Sequence, residues 1–115
     1  VVANVPLVAL GVNVRVDWDQ RAAPCLGVIV ERLQRACRRL VWLSYRRSPS
    51  GRGWHLEARV RPGPRSAVEV VALQLLLGSD PKREAHNLNR ARHVDAGDVP
   101  PFFRSRWNVL YQEVR

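Results

Sequence analysis

The sequence predicts an α+β sandwich, an antiparallel sheet with helices on one face. Two observations carry that expectation. Three stretches alternate apolar and polar residues with period two, and other stretches repeat apolar residues every three or four positions. Their order along 115 residues is that of a small sheet with crossover helices.

"GVNVRVDWD" (11–19) puts Val12, Val14, Val16 and Trp18 on one face and Asn13, Arg15, Asp17 and Asp19 on the other, the pattern of a half-buried strand. A helix is expected over 24–40. Pro24 suits its first turn, and Leu26, Ile29, Val30, Leu33, Cys37 and Leu40 form one apolar stripe. Arg32, Arg35, Arg38 and Arg39 lie off that stripe, as a solvated face or a phosphate-facing ridge. "VWLSYRR" (41–47) reads as a second strand with Val41, Leu43 and Tyr45 on one face and Trp42, Ser44 and Arg46 on the other. "SPSGRG" makes a hairpin loop into a third strand, "WHLEARVR" (54–61), where His55, Glu57, Arg59 and Arg61 alternate with apolar residues. Helices follow over 66–78, capped by Ser66 and ended by Gly78, and over 79–92, with Ser79 or Asp80 as cap and Pro81 in the first turn. "HVDAGDVPP" reads as a loop, and a last strand signal centres on Trp107–Tyr111. The order β-α-β-β-α-(α)-β suits a single domain, 1–115, of ferredoxin-like or RNA-recognition-motif-like architecture.

Composition bounds the function. The net charge is +9, and the basic residues are 18 arginines and one lysine, Lys82. Arginine pairs with phosphate through a planar fork, so DNA or RNA is the expected partner; a GC-rich genome that favours arginine codons or a heat-adapted surface is the bland alternative. Cys25 and Cys37 lie twelve residues apart in one helical pattern, about 18 Å on a helix and too far for a disulfide. They read as core thiols of a reducing, cytoplasmic compartment. No apolar run reaches a membrane span, and no membrane partner is expected.

If the helices cover the apolar face of the sheet, the other face carries Arg15, Asp17, Asp19, His55, Glu57 and Arg59. Asp17 and Asp19 can together hold Mg²⁺ or Mn²⁺, and Arg52, His55 and the neighbouring arginines can hold phosphates. In the plainer reading, Arg15 and Arg59 neutralise Asp17 and Glu57 across strands. Arg46 and Trp42 lie on the same expected face, Trp42 as a platform for a base, a cover for the hairpin or a dimer contact. His86 and His93, seven residues apart, make a poor zinc site without a third ligand. "FFRSRW" (102–107) mixes aromatics and arginines, with Phe102 and Phe103 assigned to the core.

These residues resemble the motifs of the archaeo-eukaryotic primase superfamily, the primase–polymerases, which use a modified RNA-recognition-like fold. "VRVDWD" resembles the first motif, a hydrophobic strand ending in D-x-D. "SGRGWH" resembles the second, a small residue, any residue, then His, here Gly53-Trp54-His55. The resemblance implies that Asp17 and Asp19 are ligands of Mg²⁺ or Mn²⁺ and that His55 contacts the nucleotide's phosphates. The third motif, a hydrophobic residue then Asp, is open between Asp80 and Asp95. The run "SGRGWH…LGSDPKREAHNL" also looks like small uncharacterised proteins of phages and archaeal viruses, which implies a mobile-element origin and a host cytoplasm. The expected function is nucleic-acid binding in replication on a primase-like fold. A metal-dependent nucleotidyltransferase and a structural homodimer joined through the open face are the alternatives.

Overall fold

The computed structural model describes residues 12–98 together with 107 and 108. The expected α+β class is the one observed. β1 (Val14–Trp18), β2 (Arg39–Arg47) and β3 (Trp54–Arg61) form an antiparallel sheet in the order β1-β3-β2. The helices are α1 (Leu26–Arg35), α2 (Ala67–Leu76) and α3 (Pro81–Ala96).

Val14, Val16 and Trp18 of β1 and Leu56, Ala58 and Val60 of β3 face Ile29 and Leu33 of α1, Leu73 of α2 and Leu77 at its C-terminal end in one core. The period-two alternation therefore reports the buried face correctly on β1 and β3. A smaller cluster, Ala67, Val71 and Ala91 with Leu88 and Val94, packs α3 onto α2.

Three expectations need correction. First, the helix expected to Leu40 stops at Arg35. Cys37 adopts φ 56°, its N–H bonds to the Gln34 carbonyl at 2.9 Å, and the Arg38 N–H reaches the Leu33 carbonyl at 2.8 Å. These paired bonds are a Schellman turn, which most often carries glycine at the left-handed position. The turn frees residues from Arg39 onward to enter β2, and both cysteines are exposed rather than in the core. Second, a bulge between Leu40 and Trp42 shifts the β2 register, so Leu40 rather than Val41 joins Leu43 in packing on the core. Third, the expected loop at 93–101 is helical through Ala96, ending at left-handed Gly97.

The strand expected around Trp107–Tyr111 lies largely outside the described residues, as do Phe102 and Phe103; Trp107 and Asn108 form a bend. In a ferredoxin-like sheet that strand would pair with the free edge of β1. Here the edge is closed by other groups. The Arg15 N–H donates to Gln74 Oε1 (2.9 Å) and the Asp17 N–H to Ser79 Oγ (3.0 Å). The carbonyls of the same two residues accept from Arg83 Nη1 (3.1 Å) and the Asp80 N–H (2.8 Å). An edge strand needs such cover, because its unpaired N–H and C=O groups otherwise invite another chain.

Candidate active site

Gly78, at φ 92°, makes the turn that delivers Ser79 and Asp80 to β1. Its N–H bonds to the Leu75 carbonyl and the Ser79 N–H to the Gln74 carbonyl, both at 3.0 Å. The start of α3 is thereby fixed beside Asp17, a residue more than sixty positions earlier. Behind the junction lies a buried polar cluster. Glu84 accepts from Gln74 Nε2 (2.7 Å), Asn87 Nδ2 (3.3 Å), Ser79 Oγ (2.6 Å) and the Arg83 guanidinium. Glu84, Gln74 and Asn87 are fully buried. A carboxylate is tolerated there because its oxygens are paired with a cation and with donors.

On the other side of the site, the β2–β3 loop is held by its own hydrogen bonds. The Ser48 N–H donates to the Gly53 carbonyl (2.9 Å), the Gly53 N–H to Ser48 Oγ (3.2 Å), and the Ser48 and Ser50 hydroxyls share a bond of 3.0 Å. Gly53 sits so close to β1 that a Cβ on it would lie 2.4 Å from the Trp18 carbonyl oxygen. Only a residue without a side chain fits, which accounts physically for the small residue two positions before His55.

Between the loop, the end of β1 and the start of α3 lies a cavity of about 430 Å³. Asp17 and His55 are direct cross-strand partners in it, with His55 Nε2 3.7 Å from Asp17 Oδ1. His55 is only 3% exposed, so the face expected to be open is closed over at this point. Asp19, just beyond β1, is exposed at the rim. Ser48, Ser50 and Arg52 line the loop side, and Asp80, Lys82, Arg83 and His86 line the α3 side. Burial raises the Asp17 carboxyl above the ordinary carboxylate range. His55 and Arg83 pull it down, while Asp80 and Asp19 push it further up.

Of the residues singled out in the sequence, Asp17, Asp19, Arg52 and His55 therefore converge. The other four lie outside the cavity. Arg46 is the β2 partner of His55 and is exposed. Arg15 is half-buried opposite Glu57, as the plainer cross-strand reading expected. Arg59 is half-buried opposite Trp42. Trp42 lies on the expected face, but at 5% exposure it offers no open platform for a base. Between the two candidates for a third carboxylate, Asp80 lines the cavity and Asp95 does not. Asp95 accepts the N–H groups of Ala67 (2.8 Å) and Val68 (3.0 Å) at the start of α2. His86 and His93 part company as well: His86 lines the cavity, and His93 pairs with Asp98 at 3.1 Å.

Sequence reasoning missed Ser48, Lys82, Arg83 and His86 as cavity residues and Glu84 as the buried carboxylate behind them. The Asp80–Pro81 helix start was legible, and its proximity to Asp17 was not.

Among the described residues no three His, Cys, Asp or Glu side chains converge on one point as a metal site. Asp17 and Asp19 as a pair still fit the habit of Mg²⁺, which is commonly held by one or two carboxylates and the phosphates of a substrate. The cavity thus combines carboxylates able to share a divalent cation with a rim of Arg52, Lys82 and His86 able to meet phosphate. No family model matches the chain, and no match is found among curated proteins or solved structures. Among the described residues no helix is long and apolar enough to cross a membrane.

Proposed function

We propose that the protein is a nucleic-acid-binding domain of replication, of primase–polymerase type, whose cavity takes the triphosphate of a nucleotide. The observation that carries this reading is the convergence of Asp17, Asp19 and His55, the residues of the two resembled motifs, in one cavity with Asp80 and a cationic rim. Asp17 and Asp19 would hold Mg²⁺ or Mn²⁺, which neutralises triphosphate charge when bound. Arg52 and Lys82, from opposite walls, bind and orient the phosphates. Arg83 ties α3 to the β1 backbone and so holds Asp17 in place. His55, nearly excluded from water and beside the Asp17 carboxylate, offers a hydrogen bond from the cavity floor. The setting we infer is the cytoplasm, that of the host if the chain is of mobile-element origin. A non-catalytic nucleic-acid-binding role is the second reading, favoured by the +9 charge.

The test is calorimetric titration of Mn²⁺ into the protein with and without a nucleoside triphosphate, repeated on Asp17→Asn/Asp19→Asn. Two protein carboxylates predict weak binding of Mn²⁺ alone and strong binding with the nucleotide, lost in the double variant. Absence of heat from wild type with both ligands present overturns the nucleotide reading and leaves the non-catalytic one. Heat that persists in the double variant moves the site elsewhere.

A further inference from the structure

At the end of the sheet remote from the cavity, Arg39 of β2 and Arg61 of β3 are direct cross-strand partners. Directly opposed residues share a face with their Cβ atoms about 5 Å apart, and like charges so placed destabilise a sheet. Both side chains are exposed, and among the described residues neither has an acidic partner. Arg38, the next residue, is engaged: it pairs with Glu69 and donates from Nε to the Pro62 carbonyl at 3.0 Å. The three arginines form one side of an open cleft of about 550 Å³, completed by Gln34, Cys37 and Pro62. The Schellman turn at Cys37 makes this cleft, since it brings the end of α1 beside the first residues of β2.

We propose that Arg39 and Arg61 clamp the phosphate backbone of a nucleic-acid strand. An anion between the two guanidinium groups turns their repulsion into two charge-assisted contacts, and the planar fork suits phosphate. Arg61 lies six residue steps along β3 from His55, about 20 Å at strand rise. Residues on one face of a strand recur about every 6.8 Å. Half-buried Arg59 of β3 shares that face between the clamp and the cavity, and exposed Arg46 of β2 lies beside His55 at its far end. The clamp deepens the proposed function by giving the nucleic acid a place distinct from that of the nucleotide.

Cys37 and Cys25 are both exposed, and only Cys37 lines the cleft, so the protein carries a reporter and its control. The experiment measures maleimide alkylation of each cysteine with increasing single-stranded oligonucleotide, and oligonucleotide affinity against salt. The expected result is several-fold slower modification of Cys37 with Cys25 unchanged. Arg39→Gln/Arg61→Gln should lose about tenfold or more in affinity and flatten the log–log salt slope by about 1.4, for two phosphate contacts on a single strand. Arg65→Gln/Arg92→Gln, with the same change in charge at exposed sites, should lose much less. An unprotected Cys37, or equal losses in the two double variants, overturns the clamp. Protection of Cys37 by inorganic phosphate alone at matched phosphate concentration also overturns it, in favour of a free-phosphate site. The Mn²⁺–nucleotide titration reads the cavity and the Cys37 footprint reads the clamp, so either proposal can fail without the other.

Discussion

Gly53→Ala is the sharpest test of how the hairpin is docked. The new Cβ would lie 2.4 Å from the Trp18 carbonyl oxygen and 3.3 Å from the Asp19 Cα, where contacts under 3.0 Å essentially never occur. Both neighbours are backbone, so no rotamer change relieves the clash. Either the Trp18↔Trp54 end of the β1–β3 ladder opens or the loop moves away from it. Moving the loop disturbs the two hydrogen bonds between Ser48 and Gly53. Overpacking against fixed neighbours costs about 1–3 kcal/mol, and each disturbed hydrogen bond about 1 kcal/mol more. The expected loss is therefore about 3–5 kcal/mol, or a fall in Tm of about 10 °C or more for a domain of this size. Urea unfolding with an unchanged m value reads the first quantity directly. Gly63→Ala is the control, because its Cβ meets only Asn13 Nδ2 at 3.6 Å, an ordinary contact. Its stability should stay within about 0.5 kcal/mol of wild type. Equal stability of the two variants would refute the argument. Displacement of Asp19 and His55 in the folded fraction of Gly53→Ala should also weaken Mn²⁺–nucleotide binding.

Three more predictions follow from single side chains. Asp17→Asn should be more stable than wild type at neutral pH. The folded protein holds the Asp17 proton more tightly than the unfolded chain, so wild-type stability from this group falls as pH rises from the ordinary carboxylate value through the raised one. Urea melts across that range should show the advantage of Asp17→Asn shrinking as pH falls, and an advantage of the same size at every pH would contradict the assignment. Glu84→Ala removes the acceptor of a buried arginine and should cost about 3–5 kcal/mol by denaturant melting; a loss under 1 kcal/mol would show that the buried cluster is not what holds α3 to β1. Cys37→Gly should gain about 1 kcal/mol, because an exposed residue at φ 56° loses its steric penalty and no packing; a melt showing destabilisation would mean that the Cys37 side chain makes contacts of its own.

The parts of the fold that were legible are those written in local pattern. The alternation in β3 marks residues 54–61, which are the observed strand, and the alternation in β1 sorts Val14 and Val16 from Arg15 and Asp17. Ser66, Asp80 and Gly78 act at helix ends through side-chain caps or a left-handed glycine, whereas Gly97, within the stretch expected as a loop, ends a helix that runs further than the pattern indicated. The misplaced boundary came where that vocabulary was broken. A cysteine stands where a Schellman turn usually has glycine, so the helical stripe appeared to run on through Leu40. The bulge at Val41 left no signal either, because an inserted apolar residue in an apolar strand looks like ordinary alternation.

The candidate site divides along the same line. The sequence by itself determined that Asp17 and His55 point off the same face of a sheet, because side-chain direction in a strand depends only on parity. It also determined the chain's basic character and the small residue before His55. Only the tertiary structure decided that Asp80 rather than Asp95 joins them, that Lys82 and His86 form the opposite wall, and that Trp42 is covered. It likewise decided that Arg39 meets Arg61. The physical reason is the range of the interactions. Helix caps and strand parity act within a few residues. The meeting of Asp17 with Asp80 depends on a bond between Ser79 and a strand edge 62 residues away, and on the buried Glu84 cluster that holds it there.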